Sequence, residues 1–91
     1  MYKIVFTRQL KRGVKRCAKR GLDLSKLSNV VDQLKNSGSL PETYHPHKLS
    51  GYPHSNTWEC HIESDWLLVW EQDNNQKIIL VLDTGTHSDI F

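Results

Sequence analysis

Cysteine is scarce in this chain. The 91 residues hold two, Cys17 and Cys60. Two thiols are too few for a disulfide framework, and they do not form a metal-type pair. Both are expected to be buried, as thiols usually are. Long hydrophobic runs are missing as well. No stretch approaches the roughly 20 apolar residues that span a bilayer. The first twelve residues hold one short apolar patch and then cations, not a signal-peptide core, so a cytoplasmic location without a membrane partner is expected. There is no Gly-rich phosphate loop, no Gly-x-Ser-x-Gly and no His-Glu-x-x-His. No metal or small-molecule cofactor is therefore expected. Low-complexity tracts and linkers are also lacking, which predicts one domain over residues 1–91.

What is present is uneven charge. Net charge is only +2, yet residues 1–35 hold ten of the twelve Lys/Arg and two of the ten Asp/Glu, a balance of +8. Residues 36–91 carry a balance of −6. A basic half beside an acidic half suits a polyanion or acidic-peptide partner on the first half. A solvated helix face has the same composition.

The hydrophobic pattern predicts an α+β domain. Tyr2 to Phe6 alternate as a strand. Thr7 can cap a helix to about Arg20, with Gly21 as its stop. On the helical wheel Phe6, Leu10, Val14, Cys17 and Ala18 share one side. Arg8, Lys11, Arg12, Lys15, Arg16, Lys19 and Arg20 take the other. Asp23 or Ser25 can cap a second helix to about Asn36, with Gly38 beyond its end. Its apolar stripe is Leu24, Leu27, Val30, Val31 and Leu34. A polar loop, Ser37 to Pro46, leads to a short strand near His47 to Leu49 that ends at Gly51, then a turn over Tyr52 to Asn56. In the next strand Trp58, Cys60 and Ile62 point one way, and Thr57, Glu59, His61 and Glu63 the other. Trp66 to Trp70 suits a central strand. Asp73 to Gln76 is a hairpin turn, and Lys77 to Leu82 a last strand before a short tail. Two helices packed as a hairpin on an antiparallel sheet of four or five strands is the expected architecture.

Candidate chemistry lies in the second half. Alternation turns His61 away from Cys60 and Ile62, with Asp65 four residues on. A carboxylate near an imidazole orients it for acid/base work near neutrality. His47 and His87 fall at the edges of the same sheet, and Gly85 in Thr-Gly-Thr-His permits a tight turn. Two imidazoles can divide general-base and general-acid roles. Each of these groups alone is also what a surface histidine or ion pair looks like. Phe91 can fill core or stack on a base. His45 and His54 are given no role.

Three blocks in order, Y-H-P-H-K-L-S-G, W-E-C-H-I-E-S-D-W-L-L-V-W and T-G-T-H-S-D-I-F, resemble the YafQ branch of the RelE/ParE superfamily of bacterial toxins. They cover residues 44–91; the N-terminal half agrees in size, element order and basic helices. The resemblance implies a small α+β fold with two N-terminal helices on a twisted, mainly antiparallel sheet. It implies a type II toxin that cleaves mRNA in the ribosomal A site without metal, and that a cognate antitoxin holds inactive. Carried over block by block, His47, His61, Asp65, His87 and Phe91 are the implied catalytic set. Arg8, Lys11, Arg12, Lys15, Arg16, Lys19, Arg20 and Lys48 are the implied contacts to RNA and ribosome. Two positions depart from many relatives: Trp58 and Asp83 stand where arginines are common. Stabilising the phosphorane would then pass to an imidazolium, to Lys48 or to a basic residue of the first helix. The alternative is a weak or inactive superfamily member that only binds antitoxin or RNA, or that acts on another target such as gyrase.

Overall fold

The structure, a computed structural model, describes residues 1–49 and 56–91. Gly51, His54 and all but Asn56 of the turn expected over Tyr52 to Asn56 lie outside them. In chain order the elements are β1 (Lys3–Phe6), α1 (Arg8–Lys19), α2 (Leu24–Ser37), a 3₁₀ turn (Glu42–Tyr44), β2 (His47–Lys48), β3 (Thr57–Glu63), β4 (Trp66–Asp73), β5 (Ile78–Gly85) and α3 (His87–Ile90).

Both long helices begin where capping side chains allow. Thr7 Oγ1 accepts the Leu10 N–H at 3.0 Å, and Asp23 Oδ1 accepts the Ser25 N–H at 3.0 Å. Each satisfies a donor that the first helical turn leaves free. Gly38 closes α2 at φ 71°, a left-handed position that suits glycine.

The strands form one five-stranded sheet in the order β1-β5-β4-β3-β2. β1 runs parallel to β5, and every other pair is antiparallel. The core fills one face. Leu10, Cys17, Leu27, Val30, Val31 and Leu34 from the helices meet Cys60, Ile62, Trp66, Leu68, Trp70, Ile79 and Val81 from the sheet. Burial pushes the Cys60 thiol up to about 12, so it stays protonated and inert. On β4 the alternate residues Leu67 and Val69 are also fully buried. This strand is covered on both sides, which explains its continuous apolar run.

Three expectations need correction. The wheel placed Phe6 and Ala18 inward, but both are exposed. It placed Arg16 outward, but α1 lies along the end of β5, and Arg16 turns onto that strand. The last strand begins one residue later than Lys77 and continues to Gly85. A bulge at Leu82 skips one register position and lets pairing continue to Leu67 opposite Gly85.

α1 can approach β5 because Gly13 has no side chain. A Cβ there would lie 2.6 Å from the Thr84 carbonyl oxygen and 2.8 Å from Asp83 Oδ1. Alanine normally favours a helix over glycine by about 1 kcal/mol. Here backbone must move instead, so Gly13→Ala is expected to destabilise the protein by about 1–3 kcal/mol. A urea midpoint unchanged or raised would contradict this.

Candidate active site

The histidines gather on the face of β3 that points away from the helices. Alternation puts Glu59 and His61 on that face, opposite Cys60 and Ile62. β2 adds His47 directly across from Glu59. A second bulge, between His61 and Glu63, re-aims the strand as it enters the β3–β4 turn. That turn carries Ser64 and Asp65. β5 lies two strands away, yet its end delivers His87 to the same turn.

Glu59 was not among the sequence candidates, and it occupies the centre. Its side chain is 5% exposed, with Oε1 3.4 Å from His47 Nε2 and 4.0 Å from His61 Nε2. A buried carboxylate needs a partner, and here two imidazoles share the task. The other ring nitrogen of each histidine is occupied. His47 Nδ1 lies 3.0 Å from the His45 carbonyl, and His61 Nδ1 lies 3.2 Å from the Ser64 carbonyl. A carbonyl only accepts, so Nδ1 donates in both rings and Nε2 is left to exchange a proton. The signal in the sequence was Glu59 sharing a strand face with His61.

Asp65 was expected to orient His61. It instead faces His87, with Oδ1 3.4 Å from both Nδ1 and the backbone N–H of His87. The rings continue the line. His61 and His87 have centroids 6.0 Å apart, and His87 and Phe91 6.2 Å. His45, which was assigned no role, stands edge-on to His61 at 6.0 Å. His47, His61, Asp65, His87 and Phe91 are thus brought into one row, with Glu59 between the first two. His87, Asp65 and Phe91 are each more than half exposed, so the row is open to a polymer substrate.

The short tail after Gly85 forms a helix. Thr86 and Asp89 form a reciprocal capping box, in which Thr86 Oγ1 takes the Asp89 N–H at 3.2 Å and Asp89 Oδ2 takes the Thr86 N–H at 2.9 Å. Thr-x-x-Asp was the legible sign of it.

The positions that lack arginine lie elsewhere. Trp58 alternates away from His61 and stacks on Trp70, with centroids 6.4 Å apart. Lys48 pairs with Trp58 across the strands and holds its Nζ 5.9 Å from the ring, so it stands on the face away from the histidines. Asp83 is buried against α1, where it accepts from Gln9 at 3.0 Å and lies 3.7 Å from Arg16. Arg8, Lys11, Arg12, Lys15 and Lys19 face solvent along α1. Among the described residues, no three His, Cys, Asp or Glu side chains are grouped to hold a metal ion.

Known proteins resemble this chain in sequence and fold. The family described as "Bacterial toxin of type II toxin-antitoxin system, YafQ" matches residues 2–91. The "mRNA interferase toxin YafQ" of Escherichia coli K12 is 31% identical over 93 residues, which cover 97% of this chain and 94% of that protein. A chain in the crystal structure of the E. coli DinJ–YafQ complex superposes with a TM-score of 0.91 at 29% identity, covering 100% of this chain and 99% of that one. A metal-bound toxin from Helicobacter pylori superposes with a TM-score of 0.89 at 30% identity, with both chains covered in full.

Proposed function

This chain belongs to the YafQ family of type II toxins, and from that premise we propose that it cleaves mRNA in the ribosomal A site by metal-free acid/base catalysis. Its character as a toxin and endoribonuclease follows the family and its mRNA interferase relatives. The observation that carries the finer reading is the row of proton-transfer groups ending on Phe91. At one end stand two Nε2 atoms about a buried carboxylate, and at the other a third imidazole sits beside Asp65.

The substrate's 2′-OH attacks the adjacent phosphorus. The bond to the 5′-oxygen breaks, leaving a 2′,3′-cyclic phosphate and a 5′-hydroxyl. Nε2 of His47 or His61 takes the 2′-OH proton, and Glu59 stabilises the imidazolium that results. Asp65 faces His87 Nδ1, so Nε2 of that ring delivers a proton to the leaving oxygen. Phe91 stacks on a base and keeps the nucleotide in register. Lys48 points elsewhere, and Arg16 and Arg20 face acidic partners at the end of β5. Charge on the phosphorane therefore falls to the imidazoliums.

The solvent-facing cations of α1 hold ribosomal RNA through phosphate contacts. Ribosome binding is expected to weaken steeply between 50 and 200 mM salt; an affinity insensitive to salt, measured by co-sedimentation, would remove this part of the reading. A cognate antitoxin is the protein partner. Beside Lys11 and Lys15, a groove lined by Phe6, Leu10, Val14, Leu27 and Val31 offers an acidic amphipathic segment an apolar seat. The cytoplasm, where messenger and ribosomes are, is the proposed location. No helix among the described residues is long and apolar enough to cross a membrane.

Primer extension on messenger from a reconstituted translation reaction tests the whole. Cuts within the A-site codon are expected from toxin stripped of transition metals by chelation and dialysis before it is added to the Mg2+-containing reaction. No cuts, or cuts that appear only after zinc or another transition metal is returned to the stripped toxin, would overturn the assignment.

A further inference from the structure

α3 has four residues, none of them buried. A helix this short has no stability of its own, and none of its side chains joins the core. The contacts between His87 and Asp65, both at 3.4 Å and exposed, are weak ones. Yet α3 carries His87 and leads directly into Phe91, whose N–H donates to the His87 carbonyl at 2.8 Å. Something else must hold these groups in place.

That anchor is one carboxylate. Asp89 is 13% exposed although it lies next to the chain's end. Arg20 grips it with both ends of its guanidinium, Nη1 to Oδ2 and Nη2 to Oδ1, the latter at 3.0 Å. Arg16 brings Nε to 3.4 Å from Oδ2, and its Nη2 donates to the Thr84 carbonyl at 2.9 Å. The Thr86 N–H completes the set. The carboxylate thus joins α1, the end of β5 and α3. We propose that Arg16, Arg20 and Asp89 form a latch, and that Arg20 and Asp89 are positioning residues that hold His87 and Phe91 over the substrate.

The chemistry suits a latch. The planar fork of arginine matches a carboxylate at two points, which the single ammonium of lysine does not. The Arg20 guanidinium, then the Thr86 N–H, holds the Asp89 carboxyl well below the usual carboxylate range. A depressed carboxyl contributes fully above its unfolded pKa near 3.9 and is lost only as pH falls through the lower, folded value. At neutral pH the latch is therefore closed and charged. Arg20 turns both ends of its guanidinium to Asp89 and Arg16 turns Nη2 to Thr84, so these donors are not free for RNA.

The inference rests on the reading of His87 as general acid, and its test separates the two. Arg20→Met, Arg20→Lys and Asp89→Asn are compared with His87→Ala in the ribosome cleavage assay, and the His87 ring signals are followed by NMR. Arg20→Met and Asp89→Asn are expected to lower kcat by about 10- to 100-fold, as a displaced catalytic group does. KM should stay near the parent value, whereas loss of a phosphate contact would raise it. The His87 ring signals should shift in both, and Arg20→Lys should recover part of the rate. Parent kcat in both variants, a rise confined to KM, or lost activity with unmoved His87 signals would each overturn the latch. Arg20 is partly exposed, so Arg20→Met decides the matter if Asp89→Asn does not fold. A His87→Ala protein that cleaves normally sinks the catalytic reading instead, and the NMR comparison then judges the latch alone.

Discussion

His87→Ala is expected to reduce mRNA cleavage by about two to four orders of magnitude, the usual contribution of a positioned general acid or base. The fold should survive, because His87 is more than half exposed and contributes nothing to the core. The loss should appear in kcat, since the leaving oxygen takes up its proton only in the transition state. His47→Ala and His61→Ala will be harder to interpret one at a time. Each leaves Glu59 with the other imidazole, so one ring can partly cover for its neighbour. Single-turnover cleavage of a programmed ribosome, with circular dichroism as the control for folding, checks the His87 result. A rate within threefold of the parent would remove His87 from the mechanism.

Gly85→Ala is expected to damage stability and activity together. Gly85 sits at φ 154°, a conformation that L side chains rarely adopt. A Cβ there would also lie 2.7 Å from Asp89 Oδ2 and 2.9 Å from Arg16 Nη2, in the middle of the ion pair. Backbone strain and overpacking are each of order 1–3 kcal/mol, so about 2–4 kcal/mol of stability should be lost. Activity should fall further than stability accounts for, because the residue that must yield is the one that holds α3. Urea unfolding beside cleavage assays at a temperature where the variant remains folded separates the two effects. Wild-type cleavage by a destabilised Gly85→Ala protein would mean that α3 is set independently of this contact.

Much of this was legible in the sequence. Period-two alternation from Thr57 to Glu63 gave β3 its bounds, and Thr7, Asp23 and Gly38 marked helix ends, because these are local effects of backbone geometry. The block resemblance brought His47, His61, Asp65, His87 and Phe91 together. What stayed hidden depends on register. Whether Asp65 serves His61 or His87 is decided by a bulge in β3 and by where β5 ends, and neither is a property of a short window. Arg16 looked like one more cation of a solvated face until α1 was laid against β5. Glu59 was passed over as a polar residue on an outer strand face, yet it is buried because β2 brings His47 to lie across from it.

The parallel pairing of β1 with β5 bears on how the protein is made. Lys3 lies opposite Ile78, so the first strand synthesised pairs only with the last. Long-range parallel pairing forms slowly, and here it cannot begin until most of the sequence has been translated. A nascent chain halted before β5 has no partner for β1 and no His87. On the proposed mechanism, interrupted synthesis is expected to yield fragments with neither the complete sheet nor His87, and so without cleavage activity.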